Sequence, residues 1–295
     1  MGSVRGSSGW VAAAVMLWLV AGVAARADSI KDFKQWSPQQ TEMYPNRTGV
    51  KLILKDPKAS YTGMASPLQY TYAANGAYIK MPPGDSAGVV STFYMASSGP
   101  KHCEFDFEFL GNKPGMPYLL HTNIFVDGVG GREQQIRLWF DPRKEAHFYN
   151  FQWNKDLLVF YIDSMPVRMF KNLENEIPGF KYPKKCAMGV YLSVWDGSSW
   201  ATDGGRVKLD WASAPFVTTY DRFKLAGCVA KNGDAASIEK CQTSFAAAPG
   251  DHVQKMGQTK TRQLREVKAK YLHYNYCDDR KRYPVAPREC AYNVL

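Results

Sequence analysis

HCEFDFEFLG, residues 102–111, places an acid and an aromatic ring at alternate positions: Glu104, Asp106 and Glu108 form one set, Phe105, Phe107 and Phe109 the other. Alternation with period two is the mark of a β-strand, which sends successive side chains to opposite faces. The Phe set is expected to enter a core. The acid set needs a different reason. Same-face neighbours sit about 6–7 Å apart along a strand, and carboxylates that close repel and raise one another's pKa. A strand selected only for solubility would mix in Lys, Thr or Ser. Retaining glycoside hydrolysis, in contrast, requires two carboxyl groups about 5–5.5 Å apart, one nucleophile and one acid/base. The Cα atoms of Glu104 and Glu108 stand about 13 Å apart on a strand, and two side chains each reaching inward by roughly 4 Å approach that spacing. Asp106, between them, is placed to orient Glu104. Three acids in close contact also retain a proton at neutral pH, as a general acid must.

The flanking sequence extends the β reading. Between about 45 and 215, short aromatic and β-branched runs alternate with Gly, Pro, Asp and Asn turns: GVKLIL, GAYIKM, GVVSTFYM, TNIFVDG, QQIRLWFDP, AHFYNFQWN, LLVFYIDSMPVRMF and AMGVYLSVWDG. Strands at roughly 8–15-residue spacing with few helical stretches indicate an all-β sandwich. The pattern changes after Pro215. From His252 to Cys277 the residues Leu264, Val267, Tyr271 and Tyr274 recur at three- and four-residue steps among basic side chains, which predicts an amphipathic helix with a cationic outer face. Residues 216–295 therefore read as an extension of a β domain spanning 28–215.

The chain has 295 residues and a formal charge of +10. Its first 27 residues carry a basic start, an apolar run from Trp10 to about Val23 and Ala25-Arg26-Ala27, the layout of a signal peptide with its cleavage site. Export allows disulfides. Cys228, Cys241, Cys277 and Cys290 fall as two local pairs without C-x-x-C spacing and read as staples of the extension. Cys103 and Cys186 are left either as buried thiols or as a third pair. Asn46-Arg47-Thr48 is the one N-glycosylation sequon. Scattered Lys and Arg in an exported chain argue against nucleic acid as partner. No later segment is apolar enough for a membrane span, no His/Cys/Asp cluster has metal spacing, and no Gly-rich phosphate loop suggests a cofactor.

HCEFDFEFLGN resembles the H-[DN]-E-[IL]-D-[FIL]-E-F-L-G active-site strand of plant xyloglucan endotransglucosylase/hydrolases, in glycoside hydrolase family 16. PPGDSAGVVSTFYMASSGPKH before it, PYLLHTNIFVDGVGGREQQIRLWFDP after it, SVWDGSSWATDGGRVKLDWASAPF and YLHYNYCDDRKRYPVAPREC are similar to family segments in the family's order. The resemblance covers about 60–295. It implies a concanavalin-like β-jelly-roll with a long cleft, secreted to the plant cell wall or apoplast and working as a monomer. It implies Glu104 as nucleophile, Glu108 as acid/base and Asp106 as helper, with His102 flanking them. Tyr94, His121, Asn123, Glu133, Gln135, Trp195, Trp200 and Gly205 would belong to the sugar subsites. Tyr274 and Arg282, on the extension, would hold the acceptor. His121 has an alternative reading as a core histidine bonded to backbone.

The implied reaction cleaves a β-1,4-glucan with retention and transfers it from a polysaccharide donor to a xyloglucan oligosaccharide acceptor. A mainly hydrolytic endo-glucanase, a non-catalytic glucan-binding lectin, and a structural wall protein held on pectin by its charge are the other readings. The E-x-D-x-E set favours an enzyme, since binding alone needs no acid/base pair. Three departures from the family pattern stand out. Cys103 replaces the usual Asp or Asn and is expected to point away from the acids. Asn112-Lys113-Pro114 is not a sequon, unlike the matching stretch of many members. YTGMAS and WDGSSW differ from the common segments, which suggests a broader donor choice that includes mixed-linkage glucan or cellulose.

Overall fold

A computed structural model describes residues 30–244 and 256–293. The leader segment predicted over 1–27 lies outside them. In chain order the strands are β1 (Lys34–Gln35), β2 (Thr41–Met43), β3 (Gly49–Leu54), β4 (Tyr61–Lys80), β5 (Val89–Ala96), β6 (Glu104–Leu110), β7 (Leu119–Phe125), β8 (Gln134–Arg137), β9 (His147–Trp153), β10 (Leu157–Ile162), β11 (Met165–Lys171), β12 (Met188–Asp196), β13 (Phe216–Ala230) and β14 (Leu272–Asn275). The α-helices are α1 (Ala235–Ser244), α2 (Gln258–Tyr271) and α3 (Cys290–Asn293).

These strands make the expected jelly-roll sandwich, and β4 is the strand that joins its two layers. The first half of β4 pairs with β12 from Tyr61 to Tyr70, and its second half pairs with β9 from Ala73 to Ile79. The change of partner falls at Tyr72, whose φ of 62° lies in the left-handed region. Strands that switch sheets form the corners of such sandwiches. One layer then runs β4-β12-β5-β6-β7-β8-β14, and the other runs from β11 through β10, β9 and β4 to β13 and β3. The sequence reading recognised only the second half of β4. It also ended the β domain at 215, whereas β13, in the predicted extension, pairs with both β3 and β4 inside the sandwich.

Phe105, Phe107 and Phe109 are fully buried between the layers. Phe107 stacks on Phe151 at 4.7 Å, and Phe109 meets Tyr149 edge-on at 4.7 Å. Each buried ring contributes about 1.5–3 kcal/mol, enough to offset the repulsion of three acids on the opposite face. Cys103, fully buried, is disulfide-bonded to Cys186. The side chain next to the acids is thus committed to the core side, and the question of a free thiol is closed. Cys228–Cys241 and Cys277–Cys290 are bonded as the spacing suggested.

The predicted helix forms as α2 and buries Leu264 and Val267. It stops at Tyr271, so Tyr274 is not a helical residue: it lies on β14, paired with Gln135 of β8. The unpaired amides and carbonyls along β8 are satisfied by an added strand there, which outweighs continuing the helical period.

Candidate active site

The site follows from strand register. Ser193 of β12 pairs with Thr92, Thr92 with Glu108, Glu108 with His121, His121 with Gln135, and Gln135 with Tyr274. One line of side chains therefore crosses six strands at right angles, with Glu108 near its middle. Two residues along, Tyr191, Tyr94, Asp106 and Asn123 form a parallel line. Ser193, Thr92 and Glu108 of the first line and Tyr94, Asp106 and Asn123 of the second floor a groove of about 690 Å³ whose walls include Trp36, Tyr61, Phe125, Trp195 and Asp196. Glu104, Asp106 and Glu108 all open into it.

The three acids are electrostatically unequal. Asp106 is 7 % exposed, and burial first, then the charges of Glu104 and Glu108, hold its carboxyl well above the usual range. The side-chain hydrogen bond between the two raises Asp106 and lowers Glu104, which makes Asp106 the donor of the pair. Burial also raises Glu104, while the neighbouring His102 and the bond from Asp106 pull it back toward the ionised form. Glu108 is pushed up to about 7 by burial and by the charges of Glu104 and Glu133. Burial thus raises all three carboxyls, but only Glu104 has a histidine and a hydrogen-bond donor drawing it back toward the ionised form, the kind of inequality a two-carboxylate mechanism needs.

His121 is not a backbone-bonded core histidine. Its Nδ1 faces the amide of Gln135 at 3.1 Å, and its Nε2 lies 3.7 Å from Glu108. Burial lowers its pKa to about 4, so the ring is neutral at pH 7. The Gln135 amide donates to Nδ1, which leaves the ring proton on Nε2, directed at Glu108. Trp200 packs edge-on against this ring at 5.4 Å.

The other candidate residues divide. Tyr94, Asn123 and Trp195 line the acid groove. His102 stacks on Phe125 at 5.1 Å and stands behind its wall. Gln135 and Trp200 line a second groove instead. Tyr274 lines a depression on the extension and donates its hydroxyl to Asp279 at 2.8 Å. Glu133 is ion-paired with Arg282 at 2.7 Å, which ties the extension to the charge environment of Glu108. Gly205 lines neither groove. It has a φ of +83°, and a Cβ there would fall 2.2 Å from the Ser199 carbonyl oxygen, so it shapes the Trp200 loop and is not placed to contact sugar.

Three further residues escaped the sequence reading. Trp36 and Tyr61 stack at 5.3 Å and form one end of the groove. Trp36 lies so close over Gly63 that a Cβ there would come within 2.2 Å of its ring. The glycine in the divergent YTGMAS segment is therefore the condition for this wall, and an exposed aromatic next to a strand glycine was the available signal. Arg168 of β11 is buried beneath β7, donating to Thr122 Oγ1 at 2.8 Å and to the Arg132 carbonyl, with Phe160 5.4 Å from its guanidinium. Its charge draws the pKa of Asp106 down from the core side. Nothing in the local sequence of Arg168 distinguishes it from a surface arginine.

Residues 31–213 match the model of glycosyl hydrolases family 16, and residues 242–290 match that of the xyloglucan endo-transglycosylase (XET) C-terminus. The chain is 44% identical over 243 residues to xyloglucan endotransglucosylase protein 2 of Diospyros kaki, covering 82% of this chain and 80% of that protein. It is 44% identical over 241 residues to xyloglucan endotransglucosylase/hydrolase protein 9 of Arabidopsis thaliana, covering 81% and 82%. Among solved structures, it resembles a Crh5 transglycosylase in complex with NAG, with a TM-score of 0.55 at 21% identity over 67% of this chain and 79% of that one. The last likeness is one of fold.

Proposed function

Because this chain belongs to glycosyl hydrolase family 16, as one of the xyloglucan endotransglucosylase/hydrolases, we propose that its acid groove binds a β-1,4-glucan donor and transfers it with retention to a xyloglucan oligosaccharide. Glu104 attacks the anomeric carbon while Glu108 protonates the departing glycosidic oxygen. A glycosyl ester on Glu104 results. Glu108, now ionised, takes the proton from the 4-hydroxyl of an incoming glucan end, which displaces Glu104 and restores the β linkage. The observation that carries this reading is the hydrogen bond that joins Asp106 to Glu104, with Glu108 raised beside them by burial and by the charges of Glu104 and Glu133, all in one open groove.

The donor would enter along Trp36, Tyr61, Tyr94 and Trp195, which offer rings to the flat C–H faces of glucose. The acceptor would lie toward Gln135, Trp200, Tyr274 and Arg282. His121 serves as a neutral positioning residue for Glu108. The protein would act in the plant cell wall as a monomer. Three disulfides fit an oxidising compartment, and Asn46 sits exposed in the turn between β2 and β3, open to a glycan.

Turnover with and without acceptor tests the reading. A labelled xyloglucan oligosaccharide should enter the polymer without a net gain of reducing ends, because each transfer makes one glycosidic bond for the one it breaks, and with the acceptor omitted reducing ends should rise only slowly, by attack of water. Release of reducing ends at one rate in both cases would mark a hydrolase. Running the assay on xyloglucan, mixed-linkage glucan and cellulose tests the breadth suggested by the divergent segments; activity on xyloglucan alone would end that suggestion.

The pH profile has a stated shape. Glu108 must be protonated to start the reaction, so kcat/KM should fall as pH rises through about 7. The acid limb should lie above the usual glutamate range, because Glu104 is raised and must be ionised. Arg282→Gln removes the countercharge of Glu133, and the freed anion should move the alkaline limb upward. An unmoved limb would separate Glu133 from Glu108 electrostatically.

A further inference from the structure

A second groove of about 650 Å³ opens beside the acid groove, and its character is opposite. Trp195 belongs to the first groove and Trp200 to the second, with 6.1 Å between their rings. The second is bordered by Asn112, Lys113, Gln135, Arg137, Trp200 and His273. It carries one acid, Asp203, which is already paired through both oxygens with Arg206. Lys113 and Arg137 are exposed cations, and neither has an ion-pair partner among the described residues. The acid groove, in contrast, is bordered by four carboxyl groups, those of Glu104, Asp106, Glu108 and Asp196. Asn112-Lys113-Pro114 is not a sequon, so no N-glycan covers this rim.

A neutral sugar needs a ring to stack on and amides to bond its hydroxyls, which Trp200, Gln135 and Asn112 supply. It has no use for two unpaired cations. An arginine and a lysine bordering one groove match a carboxylate, through charge-assisted bonds that are stronger than neutral ones. We propose that this groove binds a saccharide carrying a carboxylate, a uronate, with Arg137 and Lys113 as the residues that select it. The proposal rests on the acceptor-side reading above, because Gln135 and Trp200 join the groove to that side. It adds acidic saccharides to the acceptors the protein recognises.

Titration of the full-length protein with trigalacturonate and with cellotriose is the direct test. Trigalacturonate should bind, and its affinity should fall as salt is raised. Arg137→Gln should weaken it about tenfold, the loss of one charge-assisted bond, and Lys113→Gln should weaken it in the same direction. Transfer to a neutral xyloglucan oligosaccharide should be unchanged in both variants. Incorporation of a uronate-substituted glucan oligosaccharide into polymer would identify the carboxylate as a substituent of an acceptor; binding of trigalacturonate alone would identify a free acidic oligosaccharide. Equal binding of cellotriose and trigalacturonate, or binding indifferent to both substitutions, would overturn the proposal. Loss of neutral transfer in the variants would assign these cations to the general machinery and overturn it as well. A parent protein that binds trigalacturonate but transfers nothing would sink the transfer reaction and leave this site standing.

Discussion

Glu104→Ala is expected to lose turnover by about 10⁴-fold or more, the scale seen when a nucleophile that acts with its partners as a unit is removed. The structure gives no substitute. Asp106 is the nearest other carboxyl, but it holds its proton and bonds to Glu104. With Glu104 gone, that proton has no acceptor and the site has no anion opposite the anomeric carbon. Glu108 keeps its place among Thr92 and His121, so the acid remains available. Azide or formate in the vacated volume should then restore part of the rate, attacking from the nucleophile's side and leaving a product of inverted anomeric configuration. Chain-length change followed by size-exclusion chromatography and NMR of the product would record both. A variant within about tenfold of the parent, a barrier change of about 1.4 kcal/mol, would reassign the nucleophile.

Glu108→Gln should cost about 10²–10⁴-fold, the usual worth of a general acid. The loss should depend on the leaving group, which distinguishes it from damage to the fold. A sugar alkoxide is a poor leaving group and needs the proton, whereas an aryl glycoside with an acidic phenol does not. First-step cleavage of the aryl donor should survive, and the alkaline limb near pH 7 should vanish because the group that titrates there is gone. His121 cannot take over: burial keeps it neutral down to about pH 4. Equal losses on both donors would remove Glu108 from the acid role.

Much of this was readable in the chain because one strand states it twice. The Phe and acid sets of β6 fix both its core face and its groove face, and period two leaves no other register. The two local cysteine pairs were equally plain. The parts that were hidden depend on partners distant in sequence. β4 runs for 20 residues straight through Pro67 and Asn75-Gly76, which read as turn signals in the sequence, because it changes sheets by a single left-handed residue and not by a loop. β13 shifts register between Asp221 and Lys224, with Arg222 at φ 47°, which blurs its alternation. Tyr274 keeps the helical spacing of α2 but belongs to a strand, since only the free side of β8 decides its state. Trp36 and Tyr61 meet through packing over Gly63. The charge of Arg168 matters because the fold lays β11 beneath β7.

The extension seals two vulnerable margins of the sandwich. β14 lies along β8, occupying polar backbone groups that would otherwise be open to any passing strand. Leu264 of α2 covers the outward apolar patch of Leu157, Val159, Tyr161 and Met169 on β10 and β11. Open margins of that kind are where β proteins stick to one another. A shortened catalytic unit ending after β13 would lay both margins bare, and it is expected to self-associate at concentrations where the whole chain stays dispersed, which light scattering of the two would check.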